Sequence, residues 1–201
     1  GSVRACKEAG QPLVLVRPRE LHRGGLEDIA AAANGPVDAF MIPKSTLDVV
    51  RMADRLLTDL QSTAGILPIL ETPEGIVDSL AIVRAGPRII GIFGGGGAKD
   101  GDPHRFIGFE WTPEGLESLY LRSQIVMHGR AARLPHIVGG AWVNLDDLDG
   151  LRAHAKTYRA LGYTGYCVIH PAQIPVVQAV FSPSAEEVAW AGKIVQAMEA
   201  A

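Results

Sequence analysis

Charged residues in this 201-residue chain recur at one kind of place, just past short apolar runs. Arg17 and Arg19 follow "LVLV", Lys44 follows "AFMIP", and Glu71 follows "GILPIL". Asp100 and Asp102 lie beyond a Gly94-Gly95-Gly96-Gly97 loop, Asn144, Asp146 and Asp147 beyond "HIVGGAWV", and His170 and Gln173 close "GYCVIHPAQ". Guanidinium and ammonium groups suit an anionic substrate, and carboxylate oxygens suit a hard divalent cation. An imidazole with an ordinary pKa of about 6.5 can act as a base. Each residue also has a structural reading. Glu71 could cap the following helix, Arg17 could sit in a surface pair, Lys44 could be solvated, and His170 before Pro171 could fasten a turn.

The elements that must position these groups follow from periodicity. A continuous apolar run at 12–18 predicts a strand buried on both faces, and 37–43, 64–73, 87–97, 136–147 and 165–171 also read as strands, 87–97 running into a glycine loop, six in all. Between them, helical composition covers 24–35, 45–62, 74–86, 113–134, 148–162 and 184–201. The segment 45–62 opens with a Ser/Thr cap and carries Leu47, Val50, Leu56, Leu57 and Leu60 on one stripe. The segment 113–134 reads as one long helix with Pro113 in its first turn. Strands alternating with helices predict a parallel α/β architecture with right-handed crossovers. In such folds strand-to-helix loops converge at the carboxyl edge of the sheet, where all the residues named above fall.

Composition narrows the function classes. Nineteen basic and twenty-two acidic residues give a formal charge of -3, and no basic run offers a footprint for nucleic acid. The apolar runs fall far short of the roughly 20 residues of a membrane helix. Cys6 and Cys167 lack CxxC spacing, and no signal peptide is evident, which predicts reduced thiols in a cytoplasmic protein. Gly1-Ser2 reads as a cloning remnant, leaving a single domain over 3–201.

The segments "PLVLVRP", "DAFMIPKS", "LPILETPEGIVD", "GIFGG" and "LRAHAKTYRALGYTGYCVIHPAQIPVVQAVFSPSAEEVAWAGKIV" resemble, in order, the citrate lyase beta-subunit-like family of acyl-CoA lyases. That family lies in the HpcH/HpaI aldolase superfamily, with malyl-CoA and citramalyl-CoA lyases as relatives. The resemblance implies a (β/α)8 TIM-barrel fold whose first and last strand units are not represented here, so that 3–201 is an incomplete barrel. It also implies a cytoplasmic homo-oligomer, a trimer or its multiple, that cleaves or forms a carbon–carbon bond in a 3-hydroxyacyl-CoA or related 2-oxoacid, with Mg2+.

By the same resemblance Arg17 and Glu71 are catalytic, and Glu71 is a metal ligand. Arg17, Arg19, Lys44, Gly94, Gly95 and Gln173 bind substrate, Gln173 by lining the acyl-CoA entrance, while His170 orients its loop. Two positions depart from the family pattern. Its second metal aspartate, three residues past Phe93-Gly94, is Gly97 here, so that Asp100 or Asp102 could supply that carboxylate only across a longer glycine loop; and Arg19 stands where asparagine is common. These departures keep open a thioesterase, a pyruvate-type aldolase, or a silent paralogue that binds an acyl-CoA or carboxylate. The general base stays unassigned.

Overall fold

The computed structural model describes residues 13–95 and 101–199. Its six strands are β1 (Leu15–Val16), β2 (Ala39–Ile42), β3 (Gly65–Leu70), β4 (Gly91–Gly94), β5 (His136–Gly139) and β6 (Gly165–Tyr166). Each pairs in parallel with the next in chain order, so the sheet runs β1-β2-β3-β4-β5-β6. Consecutive parallel order is how a (β/α) barrel is built. Here it forms a half-barrel sheet, and the two further strands of a full eight-stranded barrel are not among the described residues.

Strand β3 is the centre of the core, with all six residues buried. Pro68 lacks an N–H, which a central strand tolerates only where the ladder is interrupted. The β3–β4 ladder is interrupted there. Between the bridge Ile66↔Ile89 and the pair Ile69↔Phe93, β3 advances three residues and β4 advances four. Around β3, Phe40, Ile42, Ile66, Leu70, Ile92 and Ile137 are almost solvent-free.

Nine helices complete the described residues: α1 (Gly25–Ala32), α2 (Leu47–Asp59), α3 (Pro73–Val77), α4 (Ser79–Val83), α5 (Asp102–Ile107), α6 (Leu119–Ala131), α7 (Leu148–Leu161), α8 (Ile174–Phe181) and α9 (Ala185–Glu199). Helix α2 starts at Thr46, whose side chain accepts from the Val49 N–H, and it buries Val50, Ala53 and Leu57. That spacing is one helical face.

Several predicted elements are shorter than their patterns. The segment 74–86 splits into α3 and α4 at Asp78. Pro113 precedes the long helix instead of opening it, and a 3-10 turn at Leu116–Ser118 leads into α6. Strand β5 stops at Gly139 because Gly140 adopts φ +76 with the Tyr166 ring against it, and an added Cβ would lie 2.1 Å from that ring. Beyond β6 the apolar residues 167–169 run as irregular backbone into a 3-10 turn, Pro171–Gln173.

Helix α7 reaches back to the loop that follows β4. The Tyr158 hydroxyl donates to the Gly95 carbonyl at 2.6 Å, and the Tyr163 hydroxyl donates to the Gly94 carbonyl at 3.1 Å. Gly95 sits at φ +110, where a Cβ would lie 2.0 Å from the Tyr163 oxygen. Only glycine fits. Tyr158→Phe leaves a buried carbonyl unpaired, and we expect a loss of about 1 to 3 kcal/mol in denaturant unfolding. An unchanged midpoint would show that another donor takes over the Gly95 carbonyl.

Candidate functional site

The strand ends bring together Arg17 beyond β1, Lys44 beyond β2, Glu71 beyond β3 and Asp102 at the start of α5. Glu71 is the most enclosed of them, its side chain 15% exposed. Its neighbour Thr72 caps α3 by accepting from the Gly75 N–H, so Glu71 has no capping duty. Glu71 Oε1 accepts from the Lys44 backbone N–H at 2.9 Å and lies 3.9 Å from Arg17 Nη2. Lys44 presents that N–H from a left-handed conformation, φ +46, which is uncommon away from glycine. Desolvation pushes the Glu71 carboxyl above its ordinary 4.5, the Lys44 N–H and Arg17 oppose the shift, and the charge of Asp102 adds to it.

Two cavities meet at Asp102. The inner one, about 170 Å3, is lined by Glu71, Asp102, Gly94, Gly95, Ala141 and Cys167 among others. The outer one, about 250 Å3, is lined by Arg17, Arg19, Arg23 and Lys44 with Glu20 and Asp102. Glu71 and Asp102 are therefore hard oxygen donors facing one small space, a set that fits Mg2+ if water and substrate oxygens complete its shell. Among the described residues no cluster of three or more His, Cys, Asp or Glu could hold a metal. Asp100 and Gly97 lie outside the described residues.

Two expectations change at this level, those for Arg19 and Gln173. Arg19 spends its guanidinium on Asp28, donating through Nε at 2.9 Å and Nη2 at 2.8 Å, with a further bond to the Gly24 carbonyl. That pairing holds the Asp28 carboxyl down at about 2. Arg19 borders the outer cavity as the brace of α1, not as a free cation. Gln173 does not line an entrance: it is fully buried, with Oε1 accepting from the Ile169 N–H at 3.0 Å and Nε2 donating to the Trp142 carbonyl at 2.8 Å. His170 does fasten its turn, Nδ1 accepting from the Ala172 N–H at 3.2 Å, but it is exposed, so its loss should cost only what a surface cap costs.

The remaining strand-end residues have local duties. Asp147 caps α7 through Gly150, and Asn144 accepts from the Asp146 N–H. Lys44 lines the outer cavity, but its ammonium is paired with Glu20 at 2.7 Å and lies 3.8 Å from Asp102. Gly94 and Gly95 line the inner cavity with their carbonyls tied to tyrosines. Glu20, Tyr158, Tyr163, Cys167 and Trp142 escaped the sequence reading. Trp142 and Cys167 lie inside the runs 136–147 and 165–171 that the sequence reads as strands, and they fall past strand ends only because β5 stops at Gly139 and β6 at Tyr166.

The sequence pattern of HpcH/HpaI aldolase/citrate lyase is matched by residues 2–171. The chain belongs to that family. Among family members, a (3S)-malyl-CoA thioesterase of Cereibacter sphaeroides is 32% identical over 183 residues, covering 88% of this chain and 59% of its own length. A citrate lyase subunit beta of Haemophilus influenzae is 31% identical over 182 residues, covering 86% and 60%. The chain thus spans about three fifths of these curated relatives. In fold it is similar to protein CitE from Mycobacterium tuberculosis, solved with magnesium, acetoacetate and coenzyme A, at TM-score 0.72 and 23% identity over 93% of this chain and 67% of that one. Among the described residues no helix is long and apolar enough to cross a membrane.

The buried carboxyl of Glu71 makes a signed prediction. Its folded pKa lies above the unfolded value, so its stabilising contribution is complete below about pH 4.5 and is lost as pH rises through the folded value. At neutral pH the carboxylate costs stability. Glu71→Gln keeps an acceptor for Lys44 without the charge, and we expect it to melt higher than wild type at pH 7, the gap closing towards pH 4. A wild type that melts higher at pH 7 would show that Arg17 and Lys44 outweigh burial.

Proposed function

We propose that this chain carries the binding edge of a carbon–carbon lyase that acts on a 3-hydroxyacyl-CoA or related 2-oxoacid by retro-aldol or Claisen-type cleavage. The observation that carries the reading is the desolvated Glu71 carboxylate, facing one cavity with Asp102 and approached from the outer cavity by Arg17. Glu71 and Asp102 would hold Mg2+, which when bound supplies Lewis-acid polarisation of a carbonyl oxygen. The Arg17 side chain, 59% exposed, is free to donate to the thioester oxygen or a carboxylate of a ligand in the outer cavity. In cleavage the C3 hydroxyl loses its proton, the C2–C3 bond breaks, and its electron pair moves through C2 onto the thioester oxygen. C3 becomes the new carbonyl, and proton return to C2 completes the acyl-CoA. A guanidinium beside the thioester oxygen stabilises the enolate charge as it develops.

The same reading takes the working unit as a homo-oligomer, a trimer or its multiple, in which another subunit supplies the proton acceptor. The similarity to a malyl-CoA thioesterase favours a second reading, hydrolysis of the thioester, in which the C–S bond is cut by water. Malyl-CoA separates the two: a lyase forms acetyl-CoA and glyoxylate, and a thioesterase releases free CoA thiol and malate. Neither product, together with equal heats when Mg2+ is titrated into wild type and Glu71→Ala, would leave a silent ligand-binding paralogue. For an active enzyme, Arg17→Lys should lower turnover about 10²-fold or more, because a point-charge ammonium does not reproduce a bidentate fork. Retained turnover would remove Arg17 from the mechanism.

A further inference from the structure

A third cavity, about 270 Å3, adjoins the inner one through Ala141, which lines both. Its walls are Trp111, Pro113, Trp142 and Val143, with Asp147 beside them. The two indoles stand 5.9 Å apart between centroids. The wall is firmly built: Gln173 donates to the Trp142 carbonyl, and the Trp142 ring packs on His154, which is bonded to the Tyr166 hydroxyl at 2.7 Å.

Charge separates this end of the edge from the other. The outer cavity holds the cations. Among the described residues neither Arg nor Lys lines the inner or the aromatic cavity, whereas Glu71, Asp102 and Asp147 do. In the aromatic cavity a second carboxylate on the substrate would meet Asp147 and, among the described residues, no Arg or Lys, while an alkyl group would meet two indoles, a proline and a valine.

We propose that the Trp111–Trp142 cavity is a subsite for an uncharged, branched aliphatic substituent on the oxo fragment of the substrate, which enters it past Ala141. This rests on the reading above, in which Glu71 and Asp102 of the inner cavity hold the Mg2+ that polarises a carbonyl oxygen. The chain then selects 2-oxo fragments with an apolar tail over those with a second carboxylate. The inner space, about 170 Å3, adjoins the aromatic walls through Ala141 and the outer cavity through Asp102.

Calorimetric titration of pyruvate, 4-methyl-2-oxopentanoate and oxaloacetate, each with Mg2+ present, reads binding without turnover. The branched acid should bind at least about tenfold tighter than pyruvate, since each methylene in an apolar pocket contributes severalfold, and oxaloacetate should bind no tighter than pyruvate. Trp111→Ala should narrow the ratio of the first two. Val143→Lys, at a half-exposed position where folding tolerates change, should raise oxaloacetate relative to pyruvate. Equal affinities for pyruvate and the branched acid, oxaloacetate binding tightest, or no binding of any of the three would overturn the proposal. Discrimination without cleavage of any CoA thioester would sink the lyase reading and leave the subsite standing; cleavage without discrimination would do the reverse.

Discussion

Burial of β3 on both faces is the constraint from which the site follows. Each of its six residues is removed from water, so the strand can end only where the chain reaches the surface of the sheet, and the first residue past that end is Glu71. A carboxylate there is dragged part-way into the apolar core by the strand that carries it. Its raised pKa, its dependence on a backbone N–H from the neighbouring strand end and its attraction for a cation all trace to that placement.

The neighbouring strands add groups according to their own ends. On one side, β1 and β2 contribute Arg17 and Lys44, with Glu20 and Arg19 woven into pairs around them. On the other, β5 and β6 contribute Trp142 and Cys167 and no cation, with Asp147 the acid beside the indoles. The carboxyl edge is therefore graded, cationic at β1 and β2, acidic at β3 and aromatic at β5, and a bound molecule lying along it meets those environments in that sequence. Helix α7 and the residues just after it hold the middle in place, because Tyr158 and Tyr163 donate to the two glycine carbonyls.

The sheet was legible because a strand buried on both faces leaves a continuous apolar run, and all six runs became strands. Their ends were less so. Residues 167–169 are as apolar as any strand, but a ladder needs a partner, and β5 turns away at Gly140. Helices α5 and α8 were invisible for a different reason. Each is short and begins beside a proline, Pro103 and Pro175, which reads locally as loop. At the site, the position of Glu71 could be read from the strand it terminates. The fate of Arg19 and Gln173 could not, since it depends on partners, Asp28 and Trp142, that the sequence does not announce.

The hydrogen bond that orients Glu71 comes from the main chain of residue 44, while the ammonium of that same residue faces Glu20 and Asp102. One position thus does two jobs with two different parts. Its left-handed backbone favours glycine or asparagine over most side chains, so either could replace lysine and still present the N–H. Evolutionary drift at this one codon could therefore retune the electric field of the outer cavity without displacing the carboxylate behind it.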